Sequence, residues 1–266
     1  MSKLNLMLGD CLERMKEIPD GSVDLVLTDP PYGTTACKWD SVIPLEPMWK
    51  ELKRVIKPNG AIVLFAAQPF TSKLISSNYD MFAYCWYWLK SKPTGFPNAN
   101  VRPMFNIEDI TVFSKGKANP RAIDRIPYNP QGVVECIRHK TRKTKEGTVN
   151  NGEKDGSLSG NYTSTLTNYP RQLLEFASES KTQHPTQKPV ALMEYLIKTY
   201  TNESETVLDF TMGSATTAIA SLNTNRNFIG IEKDENYFNI GVNRVKEHIE
   251  CQDLKTELVI STGDLQ

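Results

Sequence analysis

The sequence predicts an α/β domain built on a mostly parallel sheet, with a polar segment inserted in its middle. Three observations predict it. Buried-strand patterns alternate with helical patterns toward both ends of the chain. Several of those strand patterns run into an acidic residue or a Gly-rich turn. Between the two patterned regions the periodicity fades and small polar residues crowd in.

Residues 4–8 alternate and stop at Gly9-Asp10, as a short strand does. Residues 11–18 read as a helix, with Leu12, Met15 and Ile18 along one face. Residues 23–28 are apolar enough for a buried strand and lead straight into Asp29-Pro30-Pro31-Tyr32. A helix is expected over 45–56, ended by Lys57-Pro58-Asn59-Gly60, and a second buried strand over 61–66. The aromatic-rich residues 81–90 suit a strand, 91–102 a Pro/Gly/Asn loop, and 107–113 another strand. From Lys115 to about residue 180 no clear period emerges, which marks an inserted lobe or a mobile segment. Order returns at Pro189. A helix is expected over 190–200, a strand over 206–209, a helix over 216–222, a strand over 228–231 and a long helix over 235–249. No internal repeat is visible.

The chain has 266 residues, enough for one α/β domain with an inserted lobe. Lysine plus arginine and aspartate plus glutamate both number 31, so no global field draws it to a polyanion. Any nucleic-acid affinity must come from charge gathered on one surface. The cysteines, Cys11, Cys37, Cys85, Cys136 and Cys251, form no Cys-x-x-Cys pair, and their odd number argues against a disulfide framework. No metal site is expected, and a reducing cytoplasm is the simplest compartment. No signal peptide and no bilayer-length apolar run is visible, so no membrane partner is expected.

Asp29-Pro30-Pro31-Tyr32 follows a buried strand, where open α/β sheets place their sites. The two prolines stiffen the backbone and remove two N–H donors, leaving carbonyl oxygens free. An acceptor-only carboxylate before them and a flat aromatic after them suit a planar group bearing an amine. The turn Asp209-Phe210-Thr211-Met212-Gly213-Ser214-Ala215-Thr216 joins a strand to a helix through small residues, so a ligand can approach its backbone. Glu232 ends the next strand, roughly 20 residues on, where an acid binds ribose hydroxyls in nucleotide-binding sheets. One glycine in place of the three of G-x-G-x-x-G disfavours a nicotinamide cofactor. Asp10 reads either as an acceptor for an adenine amino group or as a helix cap. In His184-Pro185-Thr186-Gln187-Lys188-Pro189, Lys188 either neutralises a ligand carboxylate or is a solvated lysine.

Taken in order, these motifs resemble the DNA amino-methyltransferases of restriction–modification and phage origin, in their circularly permuted β class. The resemblance covers residues 4–116 and 182–250. It implies a Rossmann-like S-adenosylmethionine-dependent methyltransferase fold, doubly wound and mostly parallel, with an inserted target-recognition segment. It divides the chain into a catalytic half at 1–116, the insert at 117–181, and a cofactor-binding half with its tail at 182–266. It implies that Asp29, Pro30, Pro31 and Tyr32 hold a flipped base. It implies that Asp10, Cys11, Asp29, Lys188, Asp209, Phe210, Thr211, Gly213, Ser214, Ala215, Thr216 and Glu232 surround S-adenosylmethionine. The family often shows Asp-Pro-Phe-x-Gly-Ser-Gly at the cofactor turn. Here Phe210-Thr211 and Ala215 depart from it, and a methyl at Ala215 is expected near the ligand.

The resemblance further implies double-stranded DNA as partner, in bacterial or phage-infected cytoplasm, and leaves room for a homodimer and a partner restriction endonuclease. Between Lys115 and Lys145, Arg121, Arg125, Arg138, Lys140, Arg142, Lys143 and Lys145 outnumber Asp124, Glu135 and the adjacent Glu146, which makes this part of the insert the expected DNA-facing segment. Aspartate at the head of the motif goes mostly with N6 of adenine in that family. Methylation of cytosine N4, methylation of a protein glutamine and an inactive DNA-binding module stay open beside it. The absence of a Pro-Cys pair disfavours cytosine C5 chemistry.

Overall fold

The structure, a computed structural model, describes residues 2–33, 41–119, 121–142, 160–178 and 187–262. The chain divides into two compact units, Met1–Asn129 with Gln172–Gln266, and Pro130–Arg171.

The larger unit carries a nine-stranded sheet. Its elements in chain order begin with β1 (Ser2–Leu8), α1 (Cys11–Arg14), β2 (Val23–Thr28), α2 (Leu45–Val55), β3 (Ile56–Ala66) and α3 (Phe70–Ser77). Two long strands follow, β4 (Phe82–Thr94) and β5 (Phe105–Phe113). The smaller unit is an antiparallel pair, β6 (Val134–Arg142) and β7 (Gly160–Thr167). The chain then returns through β8 (Leu173–Glu175), α4 (Val190–Tyr200), β9 (Thr206–Asp209), α5 (Thr216–Asn223), β10 (Asn227–Glu232), α6 (Glu235–Cys251) and β11 (Thr256–Thr262). Across the sheet the order is β11-β1-β10-β9-β2-β3-β5-β4-β8. Only β5 runs against its neighbours, β3 and β4.

Both faces of the sheet are covered, and alternation along each strand decides which residue faces which layer. Leu25 and Leu27 of β2 pack with Leu192 and Leu196 of α4, Ala218 of α5 and Val245 of α6. Val26, one residue away, packs in the opposite layer with Met15, with Met48 and Leu52 of α2, and with Leu74 of α3. In α6 the buried Phe238, Gly241, Val242 and Val245 repeat at helical spacing, and Asp234 caps the helix by accepting from the N–H groups of Asn236 and Tyr237.

The expected helix over 11–18 is one α turn, Cys11–Arg14, followed by a 3-10 turn, Met15–Glu17. Residues Lys57–Gly60, read as the stop after the helix over 45–56, form part of β3, and the β2–β3 register jumps there from Val23↔Ile56 to Leu25↔Ala61. Pro58 is tolerated because the irregularity needs no ladder donor from it. Gly60 is required by close approach, since a Cβ there would lie 2.8 Å from the Asp24 carbonyl oxygen. The aromatic strand extends to Thr94, so the loop expected over 91–102 begins later. Four elements lack a strong sequence signal. Helix α3 is short, β11 is an edge strand with alternate residues exposed, and the side chains described on β6 and β7 are mostly exposed. Each has little apolar periodicity to read.

Candidate active site

Strands β1, β10, β9 and β2 are neighbours and parallel, so their carboxyl ends emerge along one edge of the sheet. Asp10, Glu232, Asp209 and Asp29 therefore meet, although they are spread over most of the sequence. They line a cleft of about 550 Å³, within the usual range for a small-molecule site. Val42, Ile43, Pro44 and Tyr237 give it apolar and aromatic walls, and Cys11 and Leu12 line it beside Asp10. Burial pushes the Cys11 thiol up to about 12, so it stays a neutral, weakly polar wall.

The turn after β9 is held by hydroxyls. The Asp209 carboxylate accepts from the hydroxyls of Thr28 at 2.5 Å and Thr217 at 2.5 Å, and from the Thr211 N–H at 3.1 Å. Burial raises its pKa to about 6 against the pull of these donors. The Thr211 hydroxyl donates to the Asp29 carbonyl at 3.1 Å, which ties the turn to the Asp-Pro-Pro-Tyr segment. At the end of β10 the Glu232 carboxylate accepts from the Gly213 and Asp234 N–H groups, both at 2.8 Å. Burial raises its pKa while these backbone donors oppose the shift. Each oxygen retains a lone pair for a further donor. Asp10 accepts from the Leu12 N–H at 2.9 Å as a helix cap and pairs with Lys233 at 3.0 Å. Burial works against its charge, yet these partners hold its pKa below the ordinary value.

Beside the cleft lies a buried ionic cluster. The Tyr32 hydroxyl contacts Asp29 Oδ1 at 2.5 Å and Glu108 Oε1 at 3.0 Å. Lys188 Nζ donates to Asp29 Oδ2 and to Glu108 Oε1, the latter at 2.9 Å, and lies 5.0 Å over the ring of Phe65. Lys90 Nζ reaches Glu108 Oε2 at 3.3 Å. Burial pushes the Asp29 carboxyl up, Lys188 pulls it down, Glu108 pushes it up again, and the net direction is upward. For Glu108 burial is outweighed by Lys188 and Lys90, and its pKa falls. Lys188 is raised because the two carboxylates overcome its desolvation. Burial first, then both carboxylates, lift the Tyr32 phenol well above its ordinary value.

The structure decides two readings that the sequence left open, at Lys188 and Asp10, and corrects one, at Ala215. Lys188 is not solvated but buried against Asp29. Ala215 does not line the cleft. It is fully buried in the left-handed backbone region at φ 61°, with its methyl toward Gly241 of α6. Asp10 is a helix cap as well as a cleft residue. Pro30, Pro31, Phe210, Gly213, Ser214 and Thr216 all line the cleft. Arg121, Arg125 and Arg138 are exposed. Lys140 and Arg142 lie on β6. Lys143, Lys145 and His184-Pro185-Thr186 fall outside the described residues. Glu108, Lys90, Thr28 and Thr217 were not anticipated. One signal existed for Glu108: an acid inside an apolar strand is costly to bury without a partner.

The chain matches the DNA methylase family model N6_N4_Mtase over residues 23–243. Among curated relatives, the type II methyltransferase M.HpaI of Haemophilus parainfluenzae is 26% identical over 253 residues, covering 90% of this chain and 73% of that protein. The DNA adenine methyltransferase YhdJ of Escherichia coli K12 is 27% identical over 285 residues, covering 97% and 88%. Among solved structures, the M1.HpyAVI–SAM complex superposes with a TM-score of 0.60 at 27% identity over 91% of this chain and 99% of that one. The cytosine-N4-specific PvuII DNA methyltransferase superposes with a TM-score of 0.64 over 97% and 95%, and at 16% identity that likeness speaks to the fold. With strand-end acids gathered on one cleft and a family match spanning most of its length, the chain belongs to the N6/N4 DNA methylase family.

Proposed function

We propose that this protein is an S-adenosylmethionine-dependent DNA methyltransferase acting on N6 of an adenine flipped out of double-stranded DNA. The observation that carries this reading is the placement of Asp29-Pro30-Pro31-Tyr32 on the wall of the same cleft as Glu232 and Gly213. An acceptor for an exocyclic amine and a nucleoside-type subsite then share one space.

The donor set fits the cofactor. Glu232 offers two carboxylate oxygens with lone pairs to spare for a ribose diol. Ile43, Pro44 and Leu12 supply apolar surface for a purine. When bound, S-adenosylmethionine supplies an activated methyl on a sulfonium. Asp29 and the Pro30 carbonyl accept the two amine hydrogens of the target base and favour a more pyramidal nitrogen with a freer lone pair. Catalysis is then positioning and electrostatics, with no covalent protein intermediate. Cys11, raised to about 12, is no nucleophile at neutral pH. Reaching the amine requires base flipping, at a cost of a few kcal/mol. Adenine is favoured over cytosine by the aspartate at the head of the motif, and the relative YhdJ is named as an adenine enzyme.

The test is to incubate unmethylated DNA with the protein and methyl-labelled S-adenosylmethionine, digest to nucleosides and separate them by mass. Label in N6-methyladenine is expected. Label confined to N4-methylcytosine would replace the base, and no label in any DNA nucleoside would remove DNA as the substrate.

A further inference from the structure

We propose that Glu108 and Lys188 are positioning residues that hold Tyr32 and Asp29 in working geometry while the target amine is bound. This inference rests on the amine-methylating function proposed above.

Glu108 does not line the cleft, so it can act only through other side chains. It touches two residues that do: its Oε1 accepts from Tyr32 at 3.0 Å and from Lys188 at 2.9 Å. The side chains of Glu108 and Lys188 are each only 8% exposed. Burying such a pair costs several kcal/mol per ion before their attraction is counted, and an apolar replacement is often as stable. Stability alone therefore gives weak reason for the cluster, whereas orientation of its cleft-facing members gives a strong one.

Proton counting sharpens the assignment. The Tyr32 hydroxyl has one proton and contacts two carboxylate oxygens, Asp29 Oδ1 and Glu108 Oε1. An incoming amine brings its own donors to Asp29. The phenol then needs another acceptor, and Glu108 is already in place. Tyr32 stays anchored while Asp29 turns to the base. Lys188 meanwhile fixes the other oxygen of Asp29 and favours its charged, accepting form. Lys90 balances the second carboxylate, so two cations face two anions.

Among the described residues, the charged and titratable groups facing Asp29 are Tyr32 beyond β2, Glu108 on β5, Lys188 before α4 and Asp209 on β9. Removing Lys188 deletes the one cation among them, so the Asp29 titration should move upward.

Two measurements test the pair. In the first, methyl transfer and S-adenosylmethionine binding are compared for Glu108→Leu and Glu108→Gln. Glu108→Leu should lose about tenfold to a hundredfold in kcat while cofactor affinity by calorimetry stays within about threefold, and Glu108→Gln, which keeps an acceptor for Tyr32, should recover part of the loss. In the second, the carboxyl carbons of labelled aspartates are followed by NMR against pH in the cofactor-free protein. The Asp29 resonance, identified by its disappearance in Asp29→Ala, should titrate at higher pH in Lys188→Met than in the wild type. Wild-type kcat in Glu108→Leu, or an unmoved Asp29 titration in Lys188→Met, would overturn the inference. If Glu108→Leu is normal while Asp29→Ala is dead, the proposed function stands and this inference falls. If the wild type labels no DNA, the function falls, and the NMR comparison, which needs no DNA, still decides whether Lys188 sets Asp29.

Discussion

The hydroxyl of Thr28 donates to the buried carboxylate of Asp209 at 2.5 Å, across 181 positions of sequence. The contact joins the strand that carries Asp29 to the turn beneath the cleft. It also places an ionisable group where water cannot solvate it.

That burial makes stability depend on pH. The Asp209 carboxyl titrates near 6 in the fold against 3.8 in the unfolded chain. Between those values the unfolded chain has released the proton and the folded chain has kept it, so this group's contribution falls as pH rises. From pH 5 to pH 7 the wild type should lose on the order of 1–2 kcal/mol relative to Asp209→Asn. Urea unfolding of both proteins at the two pH values checks this. A constant difference between them would rule it out.

Asp29→Ala should abolish methyl transfer, with kcat lower by about a hundredfold or more. Cofactor affinity should change little, because Glu232 ends β10 and the Gly213 backbone lies in the turn after β9, both separate from the segment that carries Asp29. Single-turnover transfer and calorimetry on the same preparation separate the two effects. Near-normal turnover would refute the role given to Asp29.

Glu232→Ala and Asp10→Ala should each weaken S-adenosylmethionine binding by about 1–3 kcal/mol. Asp10→Ala should also lower stability by about 1 kcal/mol, because its side chain caps the Leu12 N–H. Asp10→Asn keeps an acceptor and should preserve the cap. Calorimetry for affinity and urea unfolding for stability resolve the pair. Unchanged affinity in both alanine variants would reverse the cofactor orientation.

Ala215 sits at φ 61°, where a side chain costs roughly 1–2 kcal/mol. Ala215→Gly relieves that cost but adds backbone freedom worth about 0.5–1 kcal/mol to the unfolded chain. It should therefore change stability by less than about 1 kcal/mol, leaving cofactor affinity intact because the methyl faces α6. Ala215→Val should destabilise by about 2 kcal/mol or more, since the site is fully buried and the backbone disfavours branching. A large change in cofactor affinity for Ala215→Gly would place the methyl at the ligand after all.

Neutralising Arg138, Lys140, Arg142 and Lys143 together should weaken DNA binding and flatten its salt dependence. Each lost phosphate contact lowers the slope of log affinity against log salt by about one. An unchanged slope would mean that this segment does not track the DNA backbone.

Much of this architecture is written locally. The buried strands at Val23–Thr28 and Thr206–Asp209, the helices at Leu45–Val55 and Val190–Tyr200, and the acids at the strand ends follow from alternation, helical spacing and turn chemistry, all short-range properties of the chain. The order of the motifs was legible for the same reason. Only the tertiary structure decided that β5 runs against its neighbours, that β11 closes one edge beside β1, and that Lys188 is buried against Asp29 rather than solvated. Lys188 lies 159 residues from Asp29, and Glu108 lies 76 residues from Tyr32. No local period encodes such pairs. They exist because the tertiary fold brings the carboxyl end of β2, the amino-terminal part of antiparallel β5 and the segment before α4 together, where a buried charge must find its counter-charge or be excluded.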